Sequence, residues 1–385
     1  MLRAGENEVV ADDLLQAALQ PLKAALVSQG DPPNKSGRPR FGQVRCGPPT
    51  ACCNITLTPD PEAGKLHILV FGAGALGSVF GGLLARAGND VVLVGRPWHL
   101  DAVTREGLLI EGIWGRHRVS NLRVVYDLAE LRGPFALILV TVKAYDTSVA
   151  ARAIQPFVGP DTLVVSLQNG LGNAEILAAS VGKEKCAAGR VIFGAEIVTP
   201  GRVQVTVCAD DVVIGPALPQ AGAALRHSIA RAVAIIKEAG IPCRAVEDVQ
   251  PYLWAKAFYN CALNPLGALL GVNYGRVHDN PHTRRIMNGV IREAFAVAVS
   301  KGIKLPWQDA DAYLDDFYTV LLPPTRDHRP SMLQDLERGR RTEIDALNGK
   351  IVAYGRETGT PTPYNEVLTN LVHFREISGK EFASD

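Results

Sequence analysis

Lys65-Leu-His-Ile-Leu-Val-Phe-Gly72-Ala-Gly74-Ala-Leu-Gly77 decides the fold: a run of strand-forming residues breaks straight into Gly-x-Gly-x-x-Gly. The order predicts a buried parallel strand, a tight turn and the start of a helix. Gly72 allows the turn, Gly74 lets a pyrophosphate approach the backbone, and Gly77 lets the helix pack on the strand. The uncapped N–H groups and positive end of that helix are suited to phosphate. Ser78-Val-Phe-Gly-Gly-Leu-Leu-Ala-Arg-Ala-Gly88 continues as the helix. It is too rich in glycine, and too closely bounded by charge, to read as a membrane span.

Downstream, short apolar runs recur at Asp90–Val94, Phe135–Val142 and Thr162–Leu167, as central parallel strands require. Leu108–Ile113 and Arg118–Val125 read as further strand material of the kind that pairs as a hairpin. Strand signals return around Ala187–Ile192, Arg202–Val207, Asp211–Ile214 and Cys243–Val246, with a helix over Leu225–Ala239. Past about Gln250 helical periodicity takes over, at Tyr252–Leu263, Pro281–Lys301, Trp307–Leu321, Met332–Gly355 and Glu366–Lys380. The expected fold class is therefore α/β, a Rossmann-type doubly wound N-terminal domain followed by a mostly α-helical C-terminal domain. Residues 1–64 are expected to form a poorly ordered extension, 65–248 an NADP-binding domain, and 249–385 a helical substrate and catalytic domain.

The 385 residues carry a net charge of +1, which offers no electrostatic footprint for nucleic acid or a membrane surface. Seven cysteines are scattered without Cys-x-x-Cys or His-rich spacing, so neither a metal site nor a disulfide framework is expected, and a cytoplasmic setting fits. The chain is expected to work as a monomer or homodimer.

Two features bear on chemistry. The second strand ends Val94-Gly95-Arg96 without the acid that would hold a ribose 2′-hydroxyl, and Arg96 can instead bond a 2′-phosphate. The expected cofactor is thus NADP(H), with Lys143 and Asn169 at later strand ends as further contacts. Farther on, Lys256, Asn260 and Asn264 lie four apart on a largely apolar helix, so they share one face. Buried polar groups need partners, and a bound polar substrate could supply them. Pro265 should kink or end this helix. Pro330-Ser331-x-x-Gln334 reads as a capping box with Ser331 as N-cap, and Glu343 alone reads as ambiguous.

At these residues the chain resembles the ketopantoate reductase family. The motifs are Gly72-Ala-Gly-Ala-Leu-Gly77, Thr141-Val-Lys143-Ala-Tyr145, Gln168-Asn169-Gly170, Trp254-Ala-Lys256 with Asn260 and Asn264-Pro265, Ser331-Met-Leu-Gln-Asp335, and Thr342-Glu343-Ile-Asp345. The resemblance runs from about Lys65 to the C-terminus. It implies NADPH held by Gly72, Ala73, Gly74, Ala75, Leu76, Gly77, Arg96, Lys143, Asn169 and Ala195. It implies Lys256 as the catalytic acid, with Lys256, Asn260, Asn264 and Ser331 touching a small keto-acid substrate. Glu343 would lie close to both cofactor and substrate and help to position Lys256 or the substrate hydroxyl. The chain departs from the pattern in its N-terminal extension, in Asp146 where a neutral amide can occur, and in Gly271-Val-Asn273-Tyr274-Gly275, where a further substrate-binding Asn is offset or lost.

The expected activity is NADPH-dependent reduction of 2-dehydropantoate to pantoate. The alternatives are an NADP-dependent reductase of another small 2-keto or 3-hydroxy acid, and a non-catalytic NADP(H) sensor.

Overall fold

A computed structural model describes residues 65–381. The extension expected over residues 1–64 lies outside them.

The chain opens with β1 (His67–Phe71), α1 (Ala75–Arg86), β2 (Asp90–Val94), α2 (Pro97–Glu106), β3 (Leu108–Gly112), β4 (His117–Val119), β5 (Arg123–Val125) and β6 (Phe135–Val140). It continues through α3 (Thr147–Ile154), β7 (Val158–Ser166), α4 (Asn173–Val181), β8 (Cys186–Arg190), β9 (Phe193–Thr199), β10 (Arg202–Cys208), β11 (Val212–Pro216), α5 (Ala223–Glu238) and β12 (Cys243–Ala245). An eight-stranded sheet has the order β12-β11-β8-β7-β6-β1-β2-β5. It is parallel except where β11 meets β8 antiparallel. Strand order reverses beside β1, which pairs in parallel with both β2 and β6. The crevice at the carboxyl ends of β1 and β6 is therefore where such a sheet binds a ligand.

A second sheet, β4-β3-β10-β9, covers the far side of α1. This explains why α1 buries every residue from Gly77 to Ala85: it is packed between two sheets. His99, buried at the start of α2, ties these layers together. Its Nδ1 accepts from Gly201 N–H at 3.1 Å, so Nε2–H donates to Ser78 Oγ at 3.0 Å. Burial lowers the pKa of the imidazole and favours this neutral form. The run expected over Arg118–Val125 splits between the sheets. Its first part forms a hairpin with β3, and its second part becomes the edge strand beside β2.

The rest of the chain is helical: α6 (Gln250–Leu270), α7 (Tyr274–Asp279), α8 (Pro281–Ser300), α9 (Ala310–Asp316), α10 (Ser331–Glu337), α11 (Asn348–Thr358) and α12 (Pro363–Glu381). Two expectations need correction here. The helix expected over Met332–Gly355 is two helices, α10 and α11, and the turn between them carries Glu343. The helix through Lys256 does not end near Pro265 but runs on to Leu270. Proline at 265 removes the N–H that would have bonded the Cys261 carbonyl. That carbonyl accepts instead from Asn348 Nδ2 at 3.1 Å, an amide buried at the start of α11. The same Nδ2 donates to Asn365 Oδ1 at 3.0 Å.

Asn348→Ala should therefore strand the Cys261 carbonyl in the core and cost about 1–3 kcal/mol. Urea denaturation reads this directly, and an unshifted midpoint would show that the carbonyl finds another donor.

No helix among the described residues is long and apolar enough to cross a membrane.

Candidate active site

The glycine loop forms a cradle at the switch point. Gly72 has φ 124°, and its N–H and that of Ala73 both donate to Val94 O, at 3.0 and 2.9 Å. Gly72 O accepts from Thr141 Oγ1 at 2.7 Å, which ties the loop to the end of β6. A Cβ on Gly77 would stand 2.0 Å from that carbonyl, whereas a Cβ on Gly74 would meet nothing within 4 Å. Gly77 is thus needed for close packing, and Gly74 faces open space. The helix behind begins without a side-chain cap or an acid in its first turn. Ala75, Leu76 and Gly77 therefore present N–H groups to that space, the geometry a pyrophosphate needs. Arg96 follows β2, exposed, and forms no ion pair with any described residue. These features fit a dinucleotide carrying a 2′-phosphate.

Across the crevice, α6 presents Lys256. Its Nζ donates to Asn169 Oδ1 at 2.7 Å and to Val191 O at 2.6 Å. Two of the three ammonium protons are thereby held by the protein, and one remains for the cleft that Lys256 lines. Burial, and secondly the charge of Arg190, pull its pKa down to about 8, against a smaller opposing pull from Glu343. Arg190 itself is buried beside the cleft, paired with Asp210, and has its guanidinium 5.3 Å from the Tyr252 ring centre.

Lys143 and Glu343 meet in a second cluster. Lys143 Nζ lies 2.7 Å from Asp335 Oδ2 and 3.4 Å from Glu343 Oε2. Burial alone would lower the Lys143 pKa, but the two carboxylates outweigh it and raise the pKa. Glu343 Oε1 also accepts from Ala144 N–H at 2.9 Å, and Asp335 Oδ1 is 2.7 Å from Arg340. The hydrogen bonds of Glu343 therefore run to Lys143 and Ala144, and its link to Lys256 is through charge.

Asn260, Asn264 and Ser331 line the cleft together with Asn169, Ala195 and Lys256, and Glu343 lines a small adjoining pocket that shares Asn169, Asn260, Asn264 and Ser331 with it. The cleft encloses about 590 Å³. Ser331 is not an N-cap as its sequence context suggests. Pro330 caps α10, while Ser331 Oγ turns to Asn264 Oδ1 at 3.5 Å. Gln334 Nε2 reaches Arg329 O rather than the Ser331 backbone. The sequence reading missed Asp335, Arg190 and the Val191 carbonyl. Asp335 lies in a quoted motif without an assigned role; a backbone carbonyl leaves no mark in a sequence.

A dinucleotide-type glycine loop in the first half, with a buried, partly bonded lysine on a helix of the second, is the pairing of a nicotinamide-nucleotide-dependent oxidoreductase. The family model "Ketopantoate reductase PanE/ApbA" matches residues 68–219, and its C-terminal companion matches residues 248–376. The chain belongs to the ketopantoate reductase family.

Its relatives include the 2-dehydropantoate 2-reductase of Aquifex aeolicus, 41% identical over 314 residues, 81% of this chain and 97% of that one. The enzyme of the same name from Pyrococcus horikoshii is 35% identical over 318 residues, 82% of this chain and 99% of the other. Among solved structures, a ketopantoate reductase family member from Ralstonia eutropha superposes with a TM-score of 0.72 at 36% identity, covering 81% of this chain and 99% of that one. D-mandelate dehydrogenase, solved with NADH and anilino(oxo)acetate, gives a TM-score of 0.72 at 28% identity, covering 81% and 99%.

Proposed function

We propose that the chain reduces 2-dehydropantoate to pantoate with NADPH, using Lys256 as the proton donor. The single observation that carries this reading is the Lys256 ammonium, which lines the cleft and is held by Asn169 and Val191 through two of its three N–H groups.

The loop Gly72–Gly77 and Arg96 would hold the nucleotide's phosphates, with Asn169 and Ala195 lining the inner cleft. When bound, NADPH supplies the hydride for the ketone carbon. Lys256 orients the ketone oxygen through its remaining N–H, stabilises the negative charge that develops there and delivers a proton to it. Asn260 and Asn264 offer N–H donors to the carboxylate and hydroxyl of the substrate, and Ser331 Oγ, which donates to Asn264 Oδ1, offers lone pairs to the substrate hydroxyl. Glu343 anchors the turn before α11 against Lys143 and Ala144, and its charge keeps Lys256 from losing its proton too readily. A reducing, cytoplasmic setting agrees with the buried free thiols of Cys186, Cys243 and Cys261.

Purified protein should oxidise NADPH when 2-dehydropantoate is added. The pH dependence follows from the lysine. Reduction needs the ammonium, whose pKa is about 8, so kcat/KM should be level below about pH 7 and fall roughly tenfold per unit above about 8. The reverse oxidation of pantoate needs the neutral amine and should rise through the same range. A reduction rate that is flat to pH 10 would remove Lys256 from the role of acid.

One observation favours a second substrate. Tyr259, Tyr274 and His328 line the outer cleft beside Leu321 and Pro324. This wall suits an aromatic 2-oxo acid, and the ligand named for the D-mandelate dehydrogenase structure, anilino(oxo)acetate, carries an aromatic ring. Comparing kcat/KM for 2-dehydropantoate and phenylglyoxylate separates the two readings.

A further inference from the structure

Asn273 is the only asparagine in the loop after α6, where the family pattern's further substrate-binding Asn is offset or lost, and its side chain is already engaged. It caps α7, with Oδ1 accepting from Arg276 N–H at 3.0 Å. The next residue, Tyr274, turns inward instead. Its ring is 3% exposed and lines the cleft. Tyr259 packs edge-on at 5.8 Å, His328 lies tilted at 5.2 Å, and the Tyr274 N–H donates to His328 O at 3.2 Å. Held in this way, the phenol reaches one side-chain partner: Tyr274 Oη donates to Asn264 Oδ1 at 3.0 Å.

That bond has a consequence for Asn264. A primary amide can turn either its oxygen or its nitrogen to a ligand, and the two choices have opposite hydrogen-bonding character. A buried phenol without an acceptor leaves a hydroxyl unsatisfied, and burial holds the Tyr274 pKa well above its usual value, so it remains a donor. The Asn264 oxygen is therefore claimed by Tyr274, with Ser331 Oγ on the same atom at 3.5 Å. The Asn264 N–H groups are left to face the cleft that this residue lines with Lys256 and Asn260.

We infer that Tyr274 is a positioning residue for the substrate: it locks Asn264 with its amide N–H groups toward the cleft and so makes the site selective for a 2-oxo acid in its carboxylate form. This rests on the keto-acid reductase reading given above. Asn264 acts on the carboxylate directly, and Tyr274 acts through Asn264. A carboxylate accepts such N–H bonds strongly, whereas an ester or amide of the same acid accepts them more weakly.

The test is a double-mutant cycle on the full-length enzyme with saturating NADPH, using 2-dehydropantoate and its methyl ester. Tyr274→Phe keeps the ring and removes only the hydroxyl. It should raise KM for the acid about five- to tenfold, the scale of one ordinary hydrogen bond, while kcat changes less than about threefold. The preference for acid over ester should shrink by a similar factor, and calorimetric binding of pantoate should weaken in parallel. In an Asn264→Ala background the same change should have almost no further effect, because its only route to the substrate is gone.

An unchanged KM and unchanged acid-to-ester preference in Tyr274→Phe would overturn the inference. So would an effect that persists undiminished in the Asn264→Ala background, which would mark Tyr274 as general packing. Failure of the underlying reading looks different: the unaltered enzyme would then oxidise no NADPH with any 2-oxo acid, and the role of Tyr274 would fall with it.

Discussion

Replacing Lys256 with alanine lowers the turnover number for keto-acid reduction about a hundredfold or more, with a smaller change in NADPH affinity. The first part follows from the loss of a positioned proton donor, which contributes about 10²–10⁴ in rate. The second follows from the neighbours of Lys256. Its ammonium is bonded to Asn169 Oδ1 and Val191 O, not to the glycine cradle around Gly72 and Gly74. Truncation removes both bonds and leaves the Val191 carbonyl facing a void where water can enter, so part of the folded scaffold is kept. Steady-state kinetics at pH 7 with a separate NADPH-binding titration distinguish the effects. A turnover number near that of the unaltered enzyme would refute Lys256 as the acid. External amines offer a second check, since a small primary amine that fills the void should restore some rate to Lys256→Ala and none to the unaltered enzyme.

Gly77→Ala should have the next largest effect, and by a different route. The added methyl would sit 2.0 Å from the Gly72 carbonyl oxygen and 2.6 Å from Thr141 Oγ1. Neither neighbour can step aside cheaply. The Gly72 carbonyl is backbone, and the Thr141 hydroxyl is bonded to it at 2.7 Å. The helix must shift away from the strand, at a cost of about 3 kcal/mol on the scale of overpacked cores. Displacing α1 also moves the N–H groups of Ala75 and Leu76 away from the phosphates, so NADPH should bind ten- to a hundredfold more weakly. Gly74→Ala provides the control. A Cβ there meets nothing within 4 Å, so stability should hold while the nucleotide loses room to approach. Thermal unfolding with and without NADPH reads both effects, and equal unfolding temperatures for Gly77→Ala and the unaltered protein would contradict the packing argument.

Several parts of the site were legible in the sequence for definite reasons. The glycine loop carries its own signature because steric limits at a strand-to-helix turn select glycine at 72 and 77, and the close approach of a pyrophosphate selects it at 74. Lys256, Asn260 and Asn264 announce one helix face by their spacing alone. Arg96 is readable because it directly follows the strand end where an acid would otherwise sit. What these residues share is locality: each is defined by neighbours a few positions away.

The partners were not legible. Lys256 is held by Asn169, 87 positions earlier in the chain, and by a carbonyl that any residue at 191 would supply. Lys143 meets Asp335 across 192 positions, so a residue that read as a phosphate contact is found bonded to the opposite half of the molecule. Ser331 read as a cap because its local pattern fits one, yet its hydroxyl follows Asn264 from another helix. Pro265 read as a helix end because the backbone bond it removes is a local loss. The compensating Asn348 amide lies on α11, 87 positions beyond the Cys261 carbonyl it serves. The sequence by itself determined the dinucleotide-binding topology, the lysine face and the helical second half, because each follows from steric and periodic rules acting over a few residues. Only the tertiary structure decided which acceptors hold the Lys256 ammonium, where Glu343 is anchored and which hydroxyls meet the Asn264 oxygen, because those depend on donors and acceptors that meet only when distant segments pack together.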